Sequence, residues 1–345
     1  MFDNFVQNSF GLDISERAWR LVQLKKNGRQ ISIAAFGEIA VPVGVLKNGK
    51  FSDQDQAIKL FKTLLENLTG GHLNTHYVSV SLPETETFIK IINITYPKNK
   101  NILEEVINEA KNHIPYPLEK TYLDWQFVDE NKTKAVIGVC PKEIVDNFQT
   151  TLSSAGLMPI VLEIEATSIA RAIFPSDFLS AEPIMVIDLG FSRTGLFVYE
   201  KNCVGSSLSL NFSSDLLTKS IMTTLNLSAP EAEEAKRKIG LDPTLAKGGI
   251  KQVLLEPIKK LAVSIREAKY FYNEHLDHQE PINKVLLTGG GSNLKQLPEV
   301  LSELTQIKVE VANPLVNLSM GSLNFPENKI QSFNTAIGLA LRQFN

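Results

Sequence analysis

Two stretches of this chain, half its length apart, repeat one plan, and that repetition constrains the fold more than any other feature. The first runs Phe10-Gly-Leu-Asp-Ile-Ser-Glu-Arg-Ala-Trp-Arg-Leu-Val-Gln-Leu24 and the second Val186-Ile-Asp-Leu-Gly-Phe-Ser-Arg-Thr-Gly-Leu-Phe-Val-Tyr199. Each reads as an apolar strand carrying an aspartate (Asp13, Asp188), a short polar turn, and a second strand with period-two alternation. Self-similarity at this spacing predicts two related halves. An aspartate ending each first strand would set a carboxylate on either wall of a cleft. That suits a magnesium–phosphate, because Mg2+ commonly takes few carboxylates plus the phosphates of its ligand.

A third segment fits the same reading. Val285-Leu-Leu-Thr-Gly-Gly-Gly-Ser-Asn-Leu-Lys-Gln-Leu-Pro-Glu-Val-Leu301 reads as a buried strand running through three glycines into an amphipathic helix. Gly289, Gly290 and Gly291 let the backbone approach a flat or anionic group closely. A helix following them directly would aim its free N–H groups at the same spot.

A length of 345 residues predicts two or three domains, and 43% hydrophobic residues suffice for a core throughout. The formal net charge of −3 excludes the broad basic footprint of a general nucleic-acid binder. Cys140 and Cys203 lie in apolar, strand-like runs without metal-ligand spacing, and read as buried free thiols of a reducing compartment. The N-terminus lacks the basic start and apolar core of a secretory signal. No apolar run approaches the roughly 20 residues that span a bilayer. A cytoplasmic protein is expected, with Phe2, Phe5 and Val6 packing onto its body.

Along the chain the periodicity predicts a strand over 30–41, a helix over 54–68 stopped by Gly70-Gly71, and an alternating strand over 77–82. From 84 to 160 the texture changes. Strands over 87–95 and 122–128 flank a helix over 102–113, and a strand over 134–140 leads to a helix over 143–155. That order predicts a compact inserted α+β subdomain. A strand then a helix return over 160–174, followed by helices over 214–225, 230–239 and 253–272, with Pro257 kinking or beginning the last. A short strand over 308–311 and a helix over 332–344 close the sequence.

Phe10-Gly-Leu-Asp-Ile14, Leu287-Thr-Gly-Gly-Gly-Ser-Asn-Leu294, Val311-Ala-Asn-Pro314 and Ala336-Ile-Gly-Leu-Ala-Leu-Arg342 accompany the paired hairpins. Together they resemble the actin-like ATPase superfamily and, within it, the PilM family of type IV pilus assembly proteins, relatives of the division protein FtsA. The resemblance covers nearly the whole chain. It implies an α/β, actin-like (ribonuclease H-like, duplicated) two-lobed ATPase fold with an FtsA-type α+β subdomain inserted over 84–160. The implied first core subdomain is 1–83 plus 161–180 and part of the C-terminal helix. The second is 181–225 plus 283–345, and a helical subdomain over 226–282 covers a nucleotide cleft.

The resemblance also implies roles. ATP with Mg2+ would lie between the halves. The turn after Asp13, with Ser15 and Arg20, would form the first phosphate loop. The turn after Asp188, with Gly190 and Thr194, would form the second. Gly289, Gly290 and Gly291 would back the adenosine, and Asp13 and Asp188 would hold Mg2+ through water. Ala232-Glu-Glu-Ala-Lys236 matches an Ala-Glu-x-x-Lys pattern, which assigns Glu233 and Lys236 to the ribose or adenine. From the residues alone the pair is as readily a solvated i,i+3 ion pair. Glu165 falls where the superfamily often places the residue that orients the attacking water. By itself it is also a helix-entry carboxylate favoured by the dipole.

The implied protein is a cytoplasmic adaptor, peripheral to the inner membrane, in the assembly platform of a type IV pilus or type II secretion system. Its implied partner is the cytoplasmic N-terminal tail of a PilN-like bitopic membrane protein, docked in the groove between the first domain and the insert. Phe88, Tyr116, Tyr122 and Trp125 are the candidate groove residues. A small-molecule kinase of the same superfamily and a self-polymerising FtsA-like protein are the alternatives. No obvious second catalytic aspartate supports the kinase.

The chain departs from the family pattern in its first loop, where Asp13-Ile14-Ser15-Glu16-Arg17 replaces Asp-Ile-Gly and small hydroxyl residues. Ser15 restricts the backbone where glycine comes nearest to phosphate, and Glu16 adds negative charge beside an expected anion. Cys203-Val-Gly-Ser-Ser-Leu-Ser-Leu-Asn211 also lacks the arginine and paired glycines common in relatives. These departures point to weakened nucleotide binding and weak or no hydrolysis.

Overall fold

The computed structural model describes residues 8–95, 101–180, 182–275, 280–319, 321 and 323–344, so Phe2, Phe5 and Val6 lie outside the described residues. In chain order the strands and helices are β1 (Phe10–Ile14), β2 (Ala18–Asn27), β3 (Gln30–Ala40), β4 (Leu46–Lys47), β5 (Lys50–Phe51), α1 (Gln54–Glu66), β6 (Gly70–Gly71) and β7 (Tyr77–Leu82). They continue with β8 (Phe88–Asn93), α2 (Ile102–Ala110), β9 (Thr121–Phe127), β10 (Lys134–Pro141), α3 (Lys142–Ser154), β11 (Met158–Ile164) and α4 (Glu165–Ile173). Next come β12 (Ile184–Leu189), β13 (Thr194–Glu200), β14 (Cys203–Leu210), α5 (Ser214–Leu225), α6 (Ala229–Lys238) and α7 (Gly249–His275). The last are β15 (Lys284–Thr288), α8 (Leu297–Thr305), β16 (Lys308–Val311) and α9 (Asn334–Leu341).

These elements form two units. Unit 1 takes the chain up to Leu179, Lys201–Ser207 and everything from Asn313 on; unit 2 takes Ser180–Glu200 and Leu208–Ala312. In unit 1 a six-stranded sheet has the order β11-β7-β1-β2-β3-β6. β1 pairs antiparallel with β2 and parallel with β7, and β7 pairs parallel with β11. Its core is aromatic: Trp19 stacks on Phe61 with ring centroids 4.1 Å apart and meets Phe51 edge-on at 5.8 Å. α1 delivers Phe61 because Ala57, Phe61 and Leu64 share its buried face, and Asp53 caps it by accepting from the Gln56 amide at 2.9 Å.

The stretch 84–160 is joined to that core rather than set beside it. α3 buries Ile144, Phe148 and Leu152 in the same cluster as Trp19, Phe51 and Phe61. The Asn147 side chain grips the Phe51 backbone, accepting from its N–H at 2.8 Å. On the other side, β14 pairs with β8, and the order β14-β8-β10-β9 makes a small stretch of sheet with β9 as its outer strand. α2 covers it over Ile92, Val106, Ala110, Ala135 and Ile137.

Unit 2 contains the order β16-β15-β12-β13. β12 pairs antiparallel with β13 and parallel with β15, and β15 pairs parallel with β16. This matches β11-β7-β1-β2 strand for strand and direction for direction, so the two halves share one topology, as the repeated hairpins foretold. α7 is longer than expected and begins at Gly249, which leaves Pro257 inside it. Leu254, Ile258, Leu261 and Ile265 of α7 pack in one core with Met185, Ile187, Val285 and Leu287.

Two further expectations change. The terminal helix expected over 332–344 is α-helical only over Asn334–Leu341, with tighter 3-10 turns on either side. At its start the Asn334 side chain accepts from the Thr335 amide at 2.7 Å, a local bond that competes with continuation of the helix. Cys140 is buried as expected, but Cys203 is only half-buried. Burial first, then the Glu86 charge, pushes the Cys140 thiol up to about 12, so it is an inert core group. Among the described residues no helix is long and apolar enough to cross a membrane.

Candidate functional site

Unit 2 assembles most of the expected loop residues by strand pairing alone. Asp188 stands next to last in β12, opposite Gly195 on β13 and beside Thr288 on β15. The glycine segment therefore leaves β15 directly against the turn that follows Asp188. A Cβ on Gly289, whose φ is +77°, would lie 2.4 Å from Asp188 Oδ1, and one on Gly291 would lie 2.9 Å from the Leu189 carbonyl oxygen. A Cβ on Gly190 would lie 2.7 Å from the Arg193 carbonyl oxygen. These glycines thus let the 289–291 and 188–193 loops lie on one another. The structure brings Asp188, Gly190, Thr194, Gly289, Gly290 and Gly291 together.

The Thr194 hydroxyl is fully buried and has no hydrogen-bond partner among the described residues. Leaving such a group unpaired costs about 1–3 kcal/mol. A ligand oxygen reaching this turn would remove that cost, so the donor set of unit 2 fits a phosphate-bearing ligand.

The glycines do not lead straight into an α-helix, which corrects the expected N–H cluster. Gly290–Asn293 forms a 3-10 turn in which the Ser292 amide and hydroxyl both donate to the Gly289 carbonyl, at 3.1 and 2.7 Å. α8 begins only at Leu297, with Pro298 in its first turn and Gln296 before it at φ +59°. Leu297-Pro-Glu299 carries the sequence signal for that later start, because proline fits the first helical positions.

The second loop is fastened from behind. The Ser214 and Asp215 amides at the start of α5 donate to the Gly190 and Phe191 carbonyls, each at 3.0 Å. α6 holds α5 in turn. Lys236 is buried, and its Nζ donates to the Ser214 carbonyl at 3.1 Å, Ser214 Oγ at 2.7 Å and Thr218 Oγ1 at 2.8 Å. Glu233 pairs with the same ammonium at 2.7 Å and accepts from the Thr218 hydroxyl at 2.8 Å. Lys236 is thus buried while Glu233 stays partly exposed, and together they clasp two helices, one of which carries the loop.

In unit 1 the first loop is organised by charge. Asp13 on β1, Arg20 on β2 and Glu38 on β3 are directly facing cross-strand partners. Arg20 Nη1 lies 3.7 Å from Asp13 Oδ2, and its Nε donates to Glu38 Oε1 at 2.8 Å. Lys329 Nζ completes the row on Glu38 Oε2 at 2.6 Å, and the guanidinium lies over the Phe333 ring at 5.8 Å. Burial pushes the Glu38 carboxyl up, but the bond and charge of Lys329 and the charge of Arg20 outweigh it and hold it below its ordinary range. Ser15 spends its hydroxyl on the Ala18 carbonyl at 2.8 Å, closing the turn, while Glu16 and Arg17 are exposed. Glu38 and Lys329 were missed from the sequence. Pairing 38 opposite 20 requires the β2–β3 register, which shifts at Gln23/Leu24.

Glu165 opens α4, half-buried, and its carbonyl accepts from Ser168 Oγ at 2.7 Å. Two residues earlier, buried Glu163 binds Arg171 at 2.5 Å, Thr167 at 2.6 Å and Arg342 at 3.2 Å, a cluster no sequence pattern announced. For metal, the described residues contain no group of three or more His, Cys, Asp or Glu side chains able to hold an ion. Asp188 beside the unpaired Thr194 hydroxyl fits a phosphate-bound Mg2+ held through water. Asp13 already has the Arg20 guanidinium beside it at 3.7 Å.

The four groove candidates divide between two faces of the small sheet. Phe88 and Leu123 both face Val139 across the strands, so Phe88 shares a face with Leu123, Trp125 and Phe127. These pack on the α2 side, with Trp125 edge-on to Phe127 at 5.0 Å. Tyr122, opposite Cys140, takes the α3 face, where its hydroxyl donates to Asp146 at 3.1 Å. Tyr116 sits near Glu86 and Cys140; burial, then those two groups, pushes its hydroxyl above its ordinary range. Trp125 also lines a cavity of about 260 Å3 with Leu103, Ile107, Leu118, Leu123 and Asp124.

Two sheets of one topology, each with an aspartate closing the first strand of a hairpin, define the actin-like ATPase fold. Solved structures agree across nearly the full length. The chain is similar to one from a PilM-PilN type IV pilus biogenesis complex at a TM-score of 0.79 and 24% identity, covering 98% of this chain and 99% of that one. It is similar to ethanolamine utilization protein EutJ from Carboxydothermus hydrogenoformans at 0.58 and 18%, covering 96% and 89%. A third likeness is to MreB5 of Spiroplasma citri, solved bound to AMPPNP, at 0.54 and 11%, covering 98% and 97%. The profile of the family described as type IV pilus assembly protein PilM matches residues 11–344, and the chain belongs to that family.

Proposed function

We propose that this protein is a cytoplasmic adaptor of a type IV pilus assembly platform, held at the inner membrane by a PilN-like partner whose N-terminal tail it binds. The observation that carries the reading is the match, over nearly the whole of both chains, to the fold of a chain from a PilM-PilN complex. The family match over residues 11–344 supports it. The docking surface proposed is the α2 side of the small sheet. There β9 is the outer strand, and among the described residues no further strand pairs with its edge, which suits an extended peptide. The cavity beside Trp125 has room for one large apolar side chain, worth about 1.5–3 kcal/mol when fully buried.

Nucleotide belongs to the same reading. Asp188, Gly190, Thr194 and the 289–291 loop are the groups of unit 2 that would receive ATP, and Glu233 and Lys236 hold the helix behind them. Mg2+, when bound with ATP, supplies neutralisation of phosphate charge. Glu165 is the residue left to orient a water, and the altered first loop argues for slow turnover or none.

The test is a titration of a fluorescent peptide, carrying the first residues of a PilN-like partner, with the purified protein. Saturable binding is expected, weakened at least about tenfold in Trp125→Ala, since a buried aromatic anchor carries a large share of such an interface. No binding at several hundred micromolar protein overturns the adaptor reading. Sedimentation of the protein alone by ATP and Mg2+ would instead mark a self-polymerising protein.

A further inference from the structure

We infer that the first lobe carries its own cation: Arg20 stands where a metal ion bound to Asp13 would be, and Asp13 holds no metal. The inference rests on the nucleotide reading above and concerns the charges within unit 1 alone.

The row Asp13–Arg20–Glu38 is set by strand register, so the three side chains leave one face of the sheet in line. Lys329 closes it on Glu38. Two carboxylates and two cations leave the row neutral. Arg20 is held on three sides, by Asp13 at 3.7 Å, by Glu38 at 2.8 Å and by the Phe333 ring at 5.8 Å. Its side chain is 18% exposed and that of Asp13 only 7%, so solvent screens their charges poorly.

A dication on Asp13 would face the guanidinium across the same carboxylate, a like-charge contact in a partly buried place. Admitting it would mean expelling Arg20, which would take the Nε donor from Glu38 and strip the cover from Phe333. Guanidinium cannot be deprotonated at any pH the fold survives, so its charge is permanent. The first loop of unit 1 therefore carries a fixed monocation rather than an exchangeable dication. The other first-loop departures agree: Ser15 uses its hydroxyl to close the turn. A loop with a built-in cation has less use for a glycine that would draw a metal-bound phosphate close.

The experiment is Mn2+ binding by electron paramagnetic resonance, without nucleotide, on the wild type and on Arg20→Gln. Removing the guanidinium charge from beside Asp13 is expected to give Arg20→Gln one more Mn2+ per chain than the wild type, competed by Mg2+, because a carboxylate without a like-charged neighbour for the ion suits a hard cation. Arg20→Lys, which keeps the charge, is expected to gain none, and the gain is expected to vanish in Arg20→Gln/Asp13→Asn. Circular dichroism reports whether each variant is folded. The inference is overturned if the wild type already binds an Mn2+ that Asp13→Asn removes, or if folded Arg20→Gln gains none. Calorimetric titration with ATP and Mg2+ separates this from the underlying reading. Wild type binding no ATP would sink the nucleotide reading, while the Mn2+ result would still decide the role of Arg20. Binding that is lost in Asp188→Ala would support the nucleotide reading on its own terms.

Discussion

Beneath the two arginines Arg171 and Arg342, the Glu163 carboxylate is 5% exposed and accepts from both, as well as from Thr167. Arg171 also donates to the Gly338 carbonyl at 2.9 Å, so this one carboxylate ties β11 and α4 to the C-terminal helix. Burial pushes its carboxyl up most strongly, but the charge and bonds of Arg171, then the charge of Arg342, outweigh that and hold it below its ordinary 4.5. A carboxylate depressed by folding contributes stability above its unfolded pKa and loses it as pH falls through the folded one. Wild-type stability is therefore expected to fall as the pH drops below 4.5, and Glu163→Gln to remove this part of the fall. At pH 7, Glu163→Gln is expected to cost about 3 kcal/mol by leaving half-buried Arg171 without its buried counter-charge. Urea midpoints at pH 7 and pH 4 check both, and an unchanged pH profile in the variant would refute the account. At this scale the sequence was legible where a motif carries its own geometry. Asp13, Asp188 and the glycines are of that kind. It was illegible where partners come from distant segments, as with Glu38 and Lys329 on Arg20, or Arg342 on Glu163.

Among the elements, α9 is the piece on which unit 1 turns, and two glycines let it approach. A Cβ on Gly11 of β1 would lie 2.2 Å from the Ala336 carbonyl oxygen, and one on Gly338 of α9 would lie 1.7 Å from that of Ser168 in α4. In both places the obstacle is backbone, which cannot swing aside as a side chain can. Gly11→Ala and Gly338→Ala are each expected to cost about 3 kcal/mol or more, seen as a fall in the thermal midpoint, through forced separation of packed elements. Gly249→Ala is the contrast. Gly249 has a helical φ of −61° with no heavy atom within 4 Å of an added Cβ, and the change is expected to stabilise by about 0.5 kcal/mol through the unfolded chain. Equal losses at all three positions would show that backbone freedom, not close approach, is what these glycines supply. Periodicity located the elements well: β7, α5 and β16 match their expected spans to the residue. It missed the break between the glycine loop and α8, because the apolar spacing of Leu294, Leu297 and Leu301 runs through the turn. It also could not show that α3 belongs to the first core, since burial against Phe51 and Phe61 depends on tertiary packing.

For the molecule as a whole, the duplicated topology was readable because one hairpin plan recurs with its aspartate in place. Partner and ligand were not readable from residues alone, and entered through the family to which residues 11–344 belong. The account that results divides the labour. In the function proposed, unit 2 would receive nucleotide on loops braced by a buried lysine clasp, and the 84–160 region of unit 1 would offer an outer strand and an apolar cavity to a membrane partner's tail. Hydrogen exchange of the protein, measured with and without the tail peptide of a PilN-like partner, tests that division most directly. Protection is expected in α2, β8 and β9, with Trp125→Ala requiring at least about tenfold more peptide to reach it. Protection confined to unit 2, or none at saturating peptide, would contradict the account.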